Sequence, residues 1–176
     1  MLDRDGVINI ESHAYIKTPQ EWQAIPGSLR AITLLNAAGF QVVIATNQSG
    51  VSRGLFDLSV LELIHSKLRA ELAAIGGSVA DILFCPHHPD ENCACRKPQP
   101  GMLLKIKMQY PQDFAQAFYV GDSLTDIYAA YNAGCKPLLV LSGNGAATLA
   151  ALPEQHQIPH FANLLAATEF IINGRS

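Results

Sequence analysis

The sequence predicts an α/β fold, a parallel sheet with helices on both faces, and three observations predict it. Short β-branched or apolar runs alternate with helix-period segments along the chain, the order that yields a parallel sheet covered on both sides. The polar motifs Asp3-Asp5, Thr46-Asn47, Cys85 to Lys97 and Gly121-Asp122 each follow a predicted strand, so all four should converge beyond the strands' carboxyl ends, where such sheets bind ligands. The 176 residues, 49% hydrophobic and 15% charged, fit a single domain over 1–176 with a sizeable core.

The elements follow in order. Met1-Leu2 end a first strand; a central strand needs more apolar residues than these, so either it is clipped or the native start lies upstream. Residues Asn9 to Pro26 show no period and read as a long loop placed to lie over the site. Pro26-Gly27-Ser28 start a helix with Leu29, Ile32 and Leu35 at helical spacing and Gly39 as its stop. Phe40 to Ala45 is a buried strand and Thr46 to Gly54 a polar loop. Leu58 to Ile75 is an amphipathic helix carrying Leu61, Ile64, Leu68 and Leu72, closed by Gly76-Gly77. Val79 to Phe84 is a strand running into the cysteine-rich loop, and Pro100-Gly101 open a helix to Tyr110. Ala117 to Val120 and Pro137 to Leu141 are strands; Leu124 to Ala133, Ala146 to Leu152 and Asn163 to Ile172 are helices.

Composition excludes several function classes. A net charge of −3 gives no basic field of the kind that displaces counterions from DNA or RNA. No apolar stretch is long enough for a membrane span and no signal-peptide pattern opens the chain, so a cytoplasmic monomer is expected. Cys85, Cys93 and Cys95 cluster while Cys135 lies apart, which in a reducing compartment points to metal rather than disulfides.

Each motif has a chemistry and a plainer alternative. Asp3 and Asp5 flank one residue at a strand end, where a cation could draw the acids together; Asp-x-Asp-Gly is also an ordinary turn. Thr46, Asn47, Gln48 and Ser49 offer the hydroxyl and amide donors that phosphoryl oxygens need, or form a polar loop. Arg53 could hold an anion or lie in water. Asp122, followed by Ser123, could complete an oxygen site for Mg²⁺ with Asp3 and Asp5. Asp126 reads as a favourable charge at a helix start or as a support behind that site. The spacing C-x-H-x5-C-x-C, with Cys85, Cys93, Cys95 and either His87 or His88, satisfies a closed tetrahedral zinc shell, structural because no position remains for water. Arg96-Lys97 follow at once, so a clamped Cys95 would fix the loop that presents two cations.

Taken together, Asp3-Arg4-Asp5-Gly6-Val7, Thr46-Asn47, Lys97 and Gly121-Asp122 resemble, in order, the four motifs of the haloacid dehalogenase superfamily. The Thr46 to Gly50, Cys85 to Pro89 and Cys93 to Leu103 stretches resemble its D-glycero-D-manno-heptose 1,7-bisphosphate 7-phosphatases. The resemblance implies a capless, three-layer Rossmann-like fold with a zinc-binding loop, and a hydrolase of a small phosphorylated sugar in ADP-heptose supply for lipopolysaccharide core. It implies Asp3 as nucleophile, Asp5 as general acid and base, and Thr46 and Lys97 as phosphoryl stabilisers. Mg²⁺ would sit on Asp3, the Asp5 backbone carbonyl and Asp122, and His87 becomes the zinc imidazole. Arg96 would grip the rest of the substrate, with Glu11, Tyr15, Asn47, Gln48, Ser49, Arg53 and Ser123 as further contacts. Competing readings are a histidinol-phosphate phosphatase, an inactive phosphosugar binder and a nucleic-acid end-processing hydrolase; retention of Asp3, Asp5, Lys97 and Asp122 together disfavours a mere binder.

Overall fold

The computed structural model describes residues 1–111, 114–153 and 158–174. Its strands are β1 (Val43–Asn47), β2 (Asp81–Cys85), β3 (Phe118–Gly121), β4 (Lys136–Val140) and β5 (His160–Phe161). The helices are α1 (Ser28–Ala37), α2 (Leu58–Ala73), α3 (Gly101–Gln109), α4 (Leu124–Ala133), α5 (Gly145–Ala151) and α6 (Leu164–Asn173). β1 pairs parallel with β2, and β3 with β4, which pairs with β5. Leu2 joins the two halves through parallel bridges to Ile44 and Val120. The order is therefore β2-β1-Leu2-β3-β4-β5.

The first strand is reduced to this junction. The Leu2 N–H donates to the Val43 carbonyl and the Ala45 N–H returns to the Leu2 carbonyl, both at 2.9 Å, while the Asp3 N–H reaches Val120 at 2.9 Å. A cleft of about 780 Å³ lies ahead of it at the opposite end of the sheet from the polar motifs, lined by Met1, Phe40, Tyr110, Phe114 and Phe118. None of the predicted site residues lines it, so size does not identify the functional cavity.

Alternation along β1 divides the core. Ile44 joins Ile82, Val120, Leu138 and Val140 beneath α1, α2 and α6, whereas Val43 and Ala45 face α3 and α4 with Leu83, Cys85 and Tyr119. A third group, Ile127, Leu139 and Ile158, packs with Leu149 of α5. Each fully buried Ile or Leu contributes roughly 1.5–3 kcal/mol by leaving water. The helix starts are set locally: Asp57 accepts from the Val60 N–H, Asn163 from Ala166, and Ser123 with Asp126 forms a capping box on α4.

The loop before α1 is docked rather than loose. Trp22 and Ile16 are buried in the first core, and Lys67 of α2 donates to the Pro19 and Trp22 carbonyls at 2.9 and 2.8 Å. Among the described residues nothing folds into a cap over the strand ends, and no helix is long and apolar enough to cross a membrane.

Candidate active site

The carboxyl ends of Leu2, β1, β3 and β4 open into a cavity of about 360 Å³ lined by Asp3, Asp5, Thr46, Gln48, Ser49, Lys97, Asp122, Ser123 and Asn144. Glu11, Tyr15, Asn47 and Arg96 border it as well. Arg53 does not: it is exposed, with its guanidinium 6.0 Å from the centroid of the Tyr15 ring.

Asp3 is buried, and its Oδ1 accepts from the Arg4 N–H at 2.7 Å and from Lys97 Nζ at 2.8 Å. Its Oδ2 takes no hydrogen bond among the described residues, which leaves that oxygen available to react. Lys97, 3% exposed, also donates to Asp126 Oδ1 at 2.6 Å and Tyr119 Oη at 2.9 Å. Burial would lower the lysine's pKa, but Asp126 and Asp3 outweigh it and push it up, so Lys97 stays charged. Asn47 holds this lysine from behind: its Nδ2 donates to the Lys97 carbonyl at 3.2 Å and its Oδ1 accepts the Lys97 N–H at 3.1 Å. That side chain, expected on the substrate, thus braces the loop while it lines the cavity.

Asp5 points elsewhere. Its carboxylate accepts from Arg4 Nη2 at 2.9 and 3.0 Å, Asn9 Nδ2 at 2.9 Å and Gln48 Nε2 at 2.8 Å. Burial alone would raise its pKa, yet the Arg4 charge and these donors bring it below the usual carboxylate range. No Asp5 carboxylate oxygen joins the group that gathers around Asp3 and Asp122 among the described residues.

One oxygen each from Asp3, Asp122 and Asp126 lies within 4.8 Å of the others, all three residues buried. Asp122 is pushed up to about 7, first by burial and then by the Asp126 charge, and Asp3 is raised for the same reasons. Buried acids facing one another with a surplus of negative charge, and only hard oxygen donors, fit Mg²⁺. The backbone is shaped around Asp122: a Cβ on Gly6 (φ 75) or Gly143 (φ 59) would overlap its carboxylate. The Asn144 N–H holds Asp122 Oδ2 at 2.7 Å.

The Asp122 shift has a measurable sign. Its proton is bound more tightly in the folded state, so its contribution to stability is full below about pH 4 and lost as pH rises through about 7. His65, lowered to about 3 by burial, acts in the opposite sense, so comparison with a variant is needed. Between pH 5 and 8, metal-free wild type should lose roughly 2–4 kcal/mol relative to Asp122→Asn in urea titrations; parallel curves would refute the shift.

The cysteine loop closes at the edge of the same rim. Cys85 Sγ lies 3.5 Å from His87 Nδ1 and 3.5 Å from Cys93 Sγ, and Cys95 Sγ lies 3.2 Å from both Cys85 Sγ and His87 Nδ1. Four donors at these separations surround one point, as a tetrahedral soft-ligand site requires. His88 instead accepts the Asp90 N–H and caps a short turn. Cys135 is buried and is not one of the four donors.

Arg4, Asn9 and Asn144 were not singled out in the sequence. Asn144 had a signal, because Ser142-Gly143-Asn144-Gly145 follows a strand as the other motifs do. Asp126 is more than a helix-start charge, since it caps α4 and pairs with Lys97.

Residues 94–167 match the HAD-hydrolase-like family. The chain is 55% identical over 156 residues to the D-glycero-beta-D-manno-heptose-1,7-bisphosphate 7-phosphatase of Bordetella bronchiseptica, covering 88% of this chain and 87% of that one. It is 52% identical over 155 residues to the enzyme of that name from Pseudomonas aeruginosa, covering 88% and 87%. The crystal structure of D,D-heptose 1,7-bisphosphate phosphatase from B. bronchiseptica, complexed with magnesium and phosphate, superposes with a TM-score of 0.94 at 51% identity, covering 98% of this chain and 97% of that one. With this fold, these buried acids and such relatives, the chain belongs to the haloacid dehalogenase superfamily of phosphate-ester hydrolases and, within it, to the heptose 1,7-bisphosphate 7-phosphatases.

Proposed function

We infer that this phosphatase, acting as a single-domain cytoplasmic monomer, removes the C7 phosphate of D-glycero-D-manno-heptose 1,7-bisphosphate and so feeds ADP-heptose synthesis for lipopolysaccharide core. The observation that carries the reading is Asp3: the residue lines the cavity, its Oδ1 is pinned by Lys97 and the Arg4 N–H, and its Oδ2 takes no hydrogen bond among the described residues. Asp3 Oδ2 attacks phosphorus, the bond from phosphorus to the C7 oxygen breaks, and Asp5 gives that oxygen its proton. Asp5 then takes a proton from the water that opens the aspartyl-phosphate. The incoming phosphate's negative charge opposes the downward shift that Arg4 imposes on Asp5, favouring its acid form.

Asp3, the Asp5 carbonyl and Asp122 would hold Mg²⁺, which when bound offsets the repulsion between carboxylate and phosphate. Lys97 and Thr46 hold phosphoryl oxygens. Arg96, beside the cavity and touching the His87 carbonyl at 3.4 Å, is placed to grip the second phosphate through its planar fork. Cys85, His87, Cys93 and Cys95 would hold a structural Zn²⁺, which when bound would fix the loop carrying both cations. Glu11, Tyr15, Gln48, Ser49 and Ser123 complete the substrate's surroundings, and Arg53 acts at most through Tyr15.

The test is Mg²⁺-dependent phosphate release from both anomers of heptose 1,7-bisphosphate beside histidinol phosphate at equal concentration. A preference of about 100-fold or more in kcat/KM for a bisphosphate is expected, because a substrate lacking the second phosphate forgoes a charge-assisted bidentate contact. The names of the relatives favour the beta anomer. Preference for histidinol phosphate would move the chain to that substrate.

A further inference from the structure

The geometry points to His65, a core residue of α2 that does not line the cavity, as a positioning residue for proton transfer by Asp5. The inference rests on the acid role given to Asp5 above.

Arg4 is 1% exposed and His65 is 2% exposed. The guanidinium uses Nη2 and Nε on the Asp5 carboxylate, at 2.9, 3.0 and 3.2 Å, and turns Nη1 towards His65 Nε2 at 3.3 Å. A guanidinium carries only donors and does not lose its proton in proteins, so Nε2 must accept and the imidazole must carry its proton on Nδ1. Burial and the Arg4 charge keep the ring neutral, consistent with that tautomer. The ring itself is braced, lying 5.9 Å from the Phe84 ring at 54° on strand β2. A chain of contacts thus runs from β2 through His65 and Arg4 to Asp5.

The physical consequence is orientation. Arg4 and Asp5 are neighbours in sequence, so their forked pairing sets the guanidinium against Asp5 but leaves the two free to shift together. An acceptor on its far side removes that freedom and satisfies an N–H that would otherwise be buried without a partner. Asp5 is then held at one angle to the leaving oxygen.

The experiment is single-turnover release of the leaving group from heptose 1,7-bisphosphate and from p-nitrophenyl phosphate, in Mg²⁺. An alkoxide needs its proton from Asp5, whereas p-nitrophenolate leaves without one. His65→Leu should slow the sugar substrate by about tenfold or more with KM within about twofold, while p-nitrophenolate release changes by less than about twofold. His65→Gln, whose amide oxygen can accept from Arg4, should recover most of the loss. Equal slowing of both substrates, or no recovery with Gln, would overturn the positioning role, because a general loss of structure has no leaving-group preference. Asp5→Asn serves as the reference: it should show the same selectivity more strongly, and its absence there would overturn the acid assignment itself. Should His65→Leu fail to fold, ¹⁵N shifts of the wild-type imidazole decide the matter, since a proton on Nε2 would refute the proposed contact.

Discussion

Asp3→Asn is expected to reduce Mg²⁺-dependent phosphate release by roughly 10³-fold or more, the scale of loss when a nucleophile is removed, while zinc content stays equal to that of wild type. The amide can still accept from Lys97 or the Arg4 N–H, so the loop and the first bridge of the sheet remain in place. Substitution also removes one of three mutually repelling buried acids, so the variant should unfold at the same or a higher urea concentration than wild type in the absence of metal. Lost activity with retained stability and zinc would separate the reaction from the scaffold. Phosphate release persisting near the wild-type rate would remove Asp3 from the role of nucleophile.

Lys97→Met should produce the largest combined effect on stability and rate. Methionine keeps the length and flexibility of the side chain but removes the cation that contacts Asp3 Oδ1 at 2.8 Å, Asp126 Oδ1 at 2.6 Å and the Tyr119 hydroxyl at 2.9 Å. Taking one partner from a buried ionic group costs about 3–5 kcal/mol because the remaining charge has nowhere to be neutralised. At pH 8 the loss should be of that order. At pH 5 it should shrink, since Asp122, already at about 7, and Asp3, already raised, rise further without the lysine and take up protons. Equal destabilisation at both pH values would assign the effect to packing instead. Phosphate release should fall by about 10²–10³-fold for want of a cation on the phosphoryl oxygens.

The sequence reading located this machinery because period and punctuation agreed. α4 occupies the predicted 124–133, where Ser123 and Gly134 mark both ends, and α2 begins at the predicted Leu58 behind the Asp57 cap. The strands slid. Phe40 and Gln41 are apolar enough, or adjacent enough to apolar residues, to read as strand, yet β1 begins at Val43 and carries Thr46 and Asn47 within it. Backbone pairing with β2 continues through Asn47 and Cys85, and no side-chain pattern reports where a ladder stops. β5 has only two residues, His160–Phe161, too few for any period. At the site, spacing brought Asp3, Lys97 and Asp122 together, whereas the hold of Gln48 on the Asp5 carboxylate and of Asn47 on the Lys97 backbone depends on contacts 43 and 50 residues apart in the chain. Arg53, read as able to hold an anion or to lie in water, is exposed outside the cavity lining; proximity in sequence to Ser49 does not fix which side of a loop a long side chain takes.

Trp22 gives the docked loop a spectroscopic label. It is the only tryptophan in the chain, it is completely buried, and the Lys67 ammonium lies 5.7 Å from the centre of its ring. An indole so enclosed emits at short wavelength, and water reaching it shifts that emission to the red. Because the loop that shelters Trp22 also carries Glu11 and Tyr15 to the cavity, the colour of its fluorescence reports whether that wall is in place, independently of phosphate turnover. Rate and wall can therefore be followed in one sample, by two signals that share no chemistry.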